Sequence, residues 1–207
     1  IYSSYRMSAR KVPLHPDFWG WSIPEKRAWF NREVMVKHLP KEILPGDLIA
    51  GARFNIMTSH CLDKKEARER EKMISGKKGA RAKMKWFHDH GYGNSGATSG
   101  HLIPGYDRVL AIGWKGINRE LKDYYNNLSG MEKKGEPGAQ LRAMITASEM
   151  PRGVASGYAK LCAELALKEK DDVRASELRE MAGNLSRVPW NIPANFWEAV
   201  QALWLTH

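Results

Sequence analysis

Residues 187–207 read RVPWNIPANFWEAVQALWLTH, and this stretch carries the strongest indication of the fold. Pro189 and Pro193 keep the first half extended, because proline is excluded from a helix interior and disfavours helix in the residue before it. A helix then follows to the terminus, capped by Asn195 or opened by Ala194. The spacing predicts one shared apolar face on this helix, made by Phe196, Val200, Leu203 and Trp204.

Apolar residues continue around this terminal helix, because Trp197 and Ala199 widen the face. A helix with so little polar circumference is typical of the interior of a large protein. Two interpretations follow: the helix docks on a small core of its own, or the chain is the first part of a longer one. We favour the second, which fails if Trp197, Val200 and Trp204 are fully enclosed by the 207-residue body.

Four motifs carry a resemblance to a known family. The terminal stretch resembles the Val-Pro…Phe-Trp-Glu-Ala-Val-Gln segment of the pyruvate formate-lyase-like glycyl radical enzymes. Residues 100–110, GHLIPGYDRVL, and residues 44–51, LPGDLIAG, resemble two further segments of that family. Residues 141–166, which run from LRAMITA to YAKLCAELA, resemble its Tyr-Ala…Leu-Ala helix. The four motifs occur in the family's order, with comparable spacing.

The resemblance implies a fold that is mainly α with few strands. It is the N-terminal helical portion of a ten-stranded α/β barrel. We expect residues 1–207 to form part of one such domain, with an irregular first segment at 1–23. Residues 24–207 are then a helical scaffold with a strand near 47–54.

Periodicity and the positions of glycine and proline place the individual helices. We expect Pro151 to interrupt the helix that spans it, and residues 130–138 to be a polar connection. The predicted helices are 25–38, 64–75, 80–88, 106–128, 139–167, 171–184 and the terminal one.

The resemblance also implies a chemistry. A separate radical S-adenosylmethionine activating enzyme installs a glycyl radical, which passes to a cysteine as a thiyl. Both radical carriers are expected beyond His207, so no catalytic residue is assigned within the chain. The glycyl radical is the only cofactor expected, without a bound metal or nucleotide. A homodimer, a small-molecule substrate, anaerobic metabolism and a cytoplasmic location complete the expectation.

The reaction that we favour is decarboxylation of an arylacetate. The alternatives are a dehydratase-type elimination and the addition of an arene to fumarate. His101 is the one substrate-binding candidate, because the resemblance places a histidine of this segment at the substrate pocket. Gly105 stands where the family often has aspartate, so a role tied to that carboxylate is not expected here.

Two features resemble the radical-carrying residues of the family without matching them. Residues 152–158, RGVASGY, are loosely similar to the signature around the radical glycine, but their spacing is too long and they fall within a helix motif. Gly153 and Gly157, at a four-residue step, instead predict close helix packing. Cys61 and Cys162 match no thiyl position, and Cys162 is expected to be a small buried residue on a helix.

Two other motifs also favour the simpler interpretation. Residues 91–96 contain GxGxxG, but a helix precedes this loop, whereas a dinucleotide loop follows a strand. His60, Cys61, His88 and His90 include zinc-ligand types, yet their spacing does not form a zinc motif.

The net charge of +10 raises nucleic acid as a partner. Much of the excess lies in residues 63–85, where the signs mostly alternate at helical spacing, as on a solvated face. Nucleic-acid binding is therefore not expected. No apolar run reaches the length of a membrane span, so membrane association is not expected either. The rival class is a non-catalytic helical binding module that binds nucleic acid weakly.

Overall fold

The computed structural model describes residues 12–51, 61–76, 79–91 and 104–207, together with the backbone of two short strands. The chain divides into two compact units. The first consists of Ile1–Thr58 and Ile103–His207, and the second of Ser59–Leu102. The expectation at His101 falls outside the described residues, as do most of the Gly-rich loop and His60.

Helices dominate both units. The second unit contains α2 (Lys64–Ser75) and α3 (Ala80–Asp89), and the other helices belong to the first unit. They are α1 (Ile23–Glu33), which continues as a π-helical turn at Val34–His38, α4 (Tyr106–Asn127), α5 (Gly130–Lys134), α6 (Glu136–Ser148), α7 (Met150–Ala166), α8 (Asp172–Arg187) and α9 (Phe196–Thr206). A 3-10 turn lies at Phe18–Gly20. The prediction of a mainly α fold with few strands is confirmed.

The strands are β1 (Tyr5–Met7) and β2 (Phe54–Ile56), which pair in parallel with Tyr5 opposite Phe54. The strand predicted near 47–54 therefore begins only at Phe54. Residues 47–51 form no ladder, because the side chain of Gln201 takes both backbone hydrogen-bonding groups of Ala50. Gly51 also has a φ of 138°, outside the strand region.

Local capping chemistry fixes the start of α1, α2, α5, α8 and α9. Ser22 and Glu25 form a capping box before α1, with Pro24 in the first turn. Ser129 and Glu132 form another at the start of α5. The predicted connection at 130–138 is therefore wrong, because this box begins a short helix and α6 begins at Glu136.

The predicted helix over 139–167 is two helices. The junction lies at Glu149, and Pro151 occupies the first turn of α7. Proline fits there because a first-turn N–H has no intrahelical partner to lose. The predicted interruption is therefore confirmed, with the break at Glu149 and Pro151 in the first turn of the second helix.

The main core of the first unit lies between α7 and α8. Its buried side chains include Tyr158, Cys162, Leu178, Met181 and Leu185. Gly153 and Gly157 allow other parts of the chain to approach α7 closely. A Cβ at Gly153 would lie 2.7 Å from a methyl of Val36, and one at Gly157 would clash with Cε of Lys41. The predicted close helix packing is confirmed at Gly153, which faces the π-helical turn, whereas Gly157 faces Lys41, which is not in a helix.

Helix α4 is kinked at Gly113, whose φ of 63° favours glycine. The kink lets the segment before α9 bond to the α4 backbone. The N–H of Trp114 donates to the carbonyl of Pro189 at 3.0 Å, and that of Lys115 to the carbonyl of Trp190 at 2.9 Å. The route into α9 is thereby fixed against α4.

The second unit carries exposed charges on its two helices. Asp63 and Glu66 form a capping box at the start of α2. An ion pair joins Arg81 of α3 to Glu71 of α2 at 3.5 Å, and both side chains are more than half exposed. In the part of the chain that the structure describes, no helix is both long and apolar enough to cross a membrane.

Candidate functional site

The inner side of α9 is polar, which its sequence pattern did not predict. Glu198, Gln201 and Ala202 are the buried residues of this helix. The amide of Gln201 donates from Nε2 to the carbonyl of Ala50 at 2.8 Å and accepts at Oε1 from the N–H of Ala50 at 2.8 Å. One side chain therefore pairs with both polar groups of a buried backbone residue, as a neighbouring strand would.

Glu198 fixes the start of the same helix. Its Oε1 accepts from Nε of Arg187 at 2.9 Å, and its Oε2 accepts from the N–H of Ala194 at 2.7 Å. Asn195 caps α9 by accepting from the N–H of Glu198 at 2.9 Å, as predicted. The buried carboxylate is thus bonded on both oxygens, as a charge out of contact with water requires.

The segment before β2 lies against α9 at two further points. Nε1 of Trp197 donates to the carbonyl of Leu48 at 2.7 Å. The indole of Trp204 lies over Gly51, where a Cβ would approach it to 2.7 Å. Together with the Gln201 pair, these contacts hold residues 46–51 along the helix.

The outer side of α9 is open and apolar. Phe196 is 84% exposed, and Trp197, Val200, Leu203 and Trp204 are only partly buried. A groove of about 700 Å³ runs between this side and residues 46–51. It is lined by Gly46, Asp47, Leu48, Ile49, Gly51, Tyr106, Val200, Leu203, Trp204 and His207.

Two polar contacts lie beside the groove, at the last turn of α9. The hydroxyl of Tyr106 lies 2.5 Å from Nδ1 of His207, and the two rings stack. Nε1 of Trp114 donates to the hydroxyl of Thr206 at 3.1 Å. These contacts join the last turn of α9 to α4 and leave most of the groove wall apolar.

The two cysteines lie outside this groove, and both are buried. Burial raises the pKa of Cys162 to about 11, with a smaller opposing effect from the charge of Arg174. Its thiol is therefore protonated at neutral pH, as expected for a packing residue. No three histidine, cysteine, aspartate or glutamate side chains come together as a metal-binding group among the described residues.

Sequence reasoning missed Glu198 and Gln201 as the residues that position α9. The available signal was their spacing of three, which places both on one side of an otherwise apolar helix. Tyr106 and His207 had no such signal, since 101 positions separate them. Of the sequence-based site residues, His101 remains a prediction because it lies outside the described part.

The fold and the α9 groove define a class of protein, a helical scaffold whose terminal helix presents an open apolar side. Comparisons with known proteins then identify the family. The Pyruvate formate lyase-like family matches residues 70–207, two thirds of the chain. The chain belongs to this family, and the predicted membership is confirmed.

Two curated relatives and one solved structure illustrate the likeness. The chain is 33% identical over 129 residues to a (2S)-3-sulfopropanediol dehydratase of Klebsiella oxytoca, covering 62% of this chain and 15% of the relative. It is 35% identical over 118 residues to an indoleacetate decarboxylase of Tractidigestivibacter scatoligenes, covering 55% and 13%. A glycyl radical enzyme of Archaeoglobus fulgidus aligns with a TM-score of 0.64 at 22% identity, covering 90% of this chain and 29% of that one. The chain therefore spans a small part of these proteins' lengths, and it shares the fold of that part.

Proposed function

We propose that this chain forms the helical scaffold of a glycyl radical enzyme whose radical carriers lie on polypeptide outside the 207 residues. The observation that carries the proposal is the combination of family membership over residues 70–207 with a fold that aligns to 29% of a glycyl radical enzyme. The open side of α9 supports the proposal, because a scaffold needs a surface against which the part with the radical carriers can pack.

The proposed chemistry starts from a glycyl radical, which generates a thiyl that abstracts hydrogen from the substrate. The residues of this chain have a different role, which is to form part of the wall that encloses the reactive intermediates. Gln201 holds α9 to Ala50, and Glu198 holds the start of α9 to Arg187 and Ala194. Water-free walls matter because reactive intermediates must be kept from side reactions with solvent.

The reaction that we propose is cleavage of a carbon–carbon bond in a small aromatic carboxylate, as in an arylacetate decarboxylase. Its support is the 35% identity to an indoleacetate decarboxylase. Under this proposal His101 binds the substrate carboxylate or moves a proton, and a radical S-adenosylmethionine enzyme acts as the activating partner of a homodimer.

A dehydratase-type elimination is the second candidate, and it has equal support. The chain is 33% identical over a slightly longer stretch to a dehydratase that acts on a sulfonated diol. Here His101 would bind a hydroxyl of the substrate rather than a carboxylate. The two candidates share the radical steps and differ in the bond that breaks.

The test is to sequence the gene beyond codon 207 and to produce its whole product anaerobically with its activating enzyme. We expect a cysteine loop and a C-terminal radical-glycine signature in the sequence, and a glycyl radical doublet by electron paramagnetic resonance. Arylacetates and vicinal diols are then offered separately. Formation of a methylarene supports decarboxylation, whereas formation of an aldehyde from a diol supports elimination. A product without a radical signal, from a gene without those motifs, favours the non-catalytic binding module.

The proposed role of His101 has its own measurement. We expect His101→Gln to lower kcat/KM at least tenfold while the radical signal stays unchanged. His88→Gln is the matched control, because His88 is 66% exposed on α3. If His101→Gln and His88→Gln had the same kcat/KM, His101 would be excluded from the substrate site.

A further inference from the structure

The first part of α4 is a helical arm that is set apart from the rest of the helix. Gly113 has a φ of 63° and a ψ of 169°, so the helical backbone breaks there and resumes at Trp114. In the arm itself, from Tyr106 to Ile112, only Val109 is buried. Burial of its own side chains therefore does little to fix the angle of the arm, and contacts with other parts of the chain must do so.

The last turn of α9 contacts α4 on both sides of this break. Beyond the break, Nε1 of Trp114 donates to the hydroxyl of Thr206 at 3.1 Å. Before the break, the hydroxyl of Tyr106 lies 2.5 Å from Nδ1 of His207, and the two rings stack with their centroids 6.4 Å apart. The Trp114 contact joins α9 to the main part of α4, whereas the Tyr106 contact holds the N-terminal end of the arm.

Another contact across the break is weaker. Arg108 of the arm pairs with Glu120 beyond the break, and these side chains are 56% and 40% exposed. Ion pairs that are this open to water contribute little to stability. The contact between Tyr106 and His207 combines a hydrogen bond with ring stacking, so it restrains both the position and the orientation of the phenol ring.

The angle of the arm bears on the chain that leads into it. His101 lies five positions before Tyr106 in the sequence. An arm of seven helical residues is about 10 Å long, so a tilt of about 6° at Gly113 moves its N-terminal end by about 1 Å. A misplacement of about 1 Å at a reacting group can lower a rate about a hundredfold. A small change in the arm is therefore enough to disturb chemistry at His101.

We infer that Tyr106 and His207 are positioning residues, which fix the arm of α4 and through it the segment that carries His101. The inference rests on the proposed function, in which His101 binds the substrate. His207 acts on Tyr106, and Tyr106 acts on the backbone that leads to His101. Neither Tyr106 nor His207 takes part in the reaction directly.

The test uses the whole gene product, produced anaerobically with its activating enzyme. Tyr106→Phe removes the hydroxyl but keeps the ring, and we expect it to lower kcat/KM about tenfold for the arylacetate or diol that the parent converts. Tyr124→Phe is the matched control, because it makes the same change at a 64% exposed position of α4 and should leave kcat/KM unchanged. The radical signal should be the same in both variants and in the parent.

Substitutions of His207 separate positioning from a general loss of stability. His207→Asn keeps an acceptor oxygen close to the place of Nδ1 and should retain at least half of the parent's kcat/KM. His207→Leu has no acceptor and should match the loss in Tyr106→Phe. When His101→Gln is already present, Tyr106→Phe should lower kcat/KM less than twofold further, because both changes act through the same group.

Hydrogen exchange tests the arm without any need for activity. By mass spectrometry, the amides of Tyr106–Ile112 should exchange faster in Tyr106→Phe and His207→Leu than in the parent, in His207→Asn and in Tyr124→Phe. Unchanged exchange in the first two variants would overturn the inference, whether or not a radical forms. Faster exchange in a gene product that forms no radical would support the role of the pair in holding the arm and contradict the proposed function alone.

Two results would overturn the inference while leaving the radical signal intact. One is equal kcat/KM in Tyr106→Phe and Tyr124→Phe. The other is an undiminished tenfold loss from Tyr106→Phe in the His101→Gln protein, because Tyr106 would then act independently of His101.

Discussion

Helix α8 buries mostly apolar side chains, whereas two of the three buried residues of α9 are polar, although both helices lie in the same unit. Helix α8 turns Leu178, Met181 and Leu185 towards α7. Helix α9 turns Glu198 and Gln201 inward and leaves Phe196 outside. The difference lies in what each helix packs against. Helix α8 meets the side chains of another helix, whereas α9 meets backbone whose polar groups need hydrogen-bond partners.

This comparison teaches that an apolar pattern locates the interior only where the neighbouring surface is apolar too. Ala50 is not part of a ladder, so its N–H and carbonyl would be buried without partners if Gln201 were apolar. Leaving a buried backbone group unpaired costs about 1–3 kcal/mol. At position 201, hydrogen bonds to the backbone of Ala50 therefore stabilise the protein more than burying one more leucine would. The following variants measure the balance between these two contributions.

The largest effect is expected from the apolar core. Leu178 is 3% exposed between α7 and α8, and Leu178→Ala should lower the free energy of unfolding by about 2–5 kcal/mol through lost contacts and a cavity. The measurement is urea denaturation at pH 7. Val173→Ala, at a site that is 71% exposed on the same helix, should change stability by less than about 0.5 kcal/mol. Similar losses at both sites would show that α8 does not pack as described.

The next largest effect is expected at Gln201, the buried polar residue of α9. Gln201→Leu adds apolar character to a buried site but leaves the N–H and carbonyl of Ala50 unpaired. We expect a loss of about 2–4 kcal/mol in urea denaturation. Gln140→Leu makes the same change at an exposed position of α6 and should be nearly neutral. A more stable Gln201→Leu protein would mean that hydrophobicity governs α9 after all.

A smaller effect is expected at the route into α9. Gly113→Ala forces alanine into a φ of 63° and brings its Cβ to 2.5 Å from the carbonyl oxygen of Trp190. The strain should cost about 1–3 kcal/mol in thermal unfolding. Gly183→Ala on α8 is the control, because it is helical with no other atom within 4 Å, and it should stabilise by about 0.5–1 kcal/mol. Matching effects at the two glycines would contradict the kink.

The smallest effect contrasts an accessible polar contact with the buried one at Gln201. Nε of Arg142, a 40% exposed side chain, donates to Oε1 of Glu25 at 2.7 Å. Burial raises the pKa of Glu25, but hydrogen bonds from Arg142 and Ser22 and the charge of Arg142 outweigh it, so the pKa lies below the ordinary 4.5. This contact therefore stabilises the protein above pH 4.5, and its contribution is lost as the pH falls through the lowered folded-state pKa.

Arg142→Met should accordingly destabilise by less than about 1 kcal/mol at pH 7. The difference between the variant and the parent should shrink as the pH falls below 4.5 and through the lowered pKa of Glu25, because the carboxyl group is then protonated. Denaturation midpoints measured between pH 7 and pH 3 check this. Arg152→Met is the control, because Arg152 lies over the Trp190 ring rather than against a carboxylate and should show no such pH dependence. A difference that grew on acidification would contradict the predicted sign.

The sequence by itself determined the family, the fold class and most helix positions. Four motifs in order led to the pyruvate formate-lyase-like family, which the match to residues 70–207 confirms. Periodicity and capping residues located α2 and α9 closely, because these signals are local. The interruption predicted at Pro151 is confirmed within two residues, because a proline in the first turn of α7 cannot continue the ladder of the preceding helix.

Only the tertiary structure decided which side of α9 faces inward. The pattern of Phe196, Val200 and Leu203 is correct as a shared side, yet the interior is on the other side of the helix. The inward side of α9 depends on Ala50, which lies 151 residues before Gln201 in the sequence and needs a hydrogen-bond partner. Local sequence carries helix propensity, but a distant backbone group that must not be buried unpaired becomes evident only once the chain has folded.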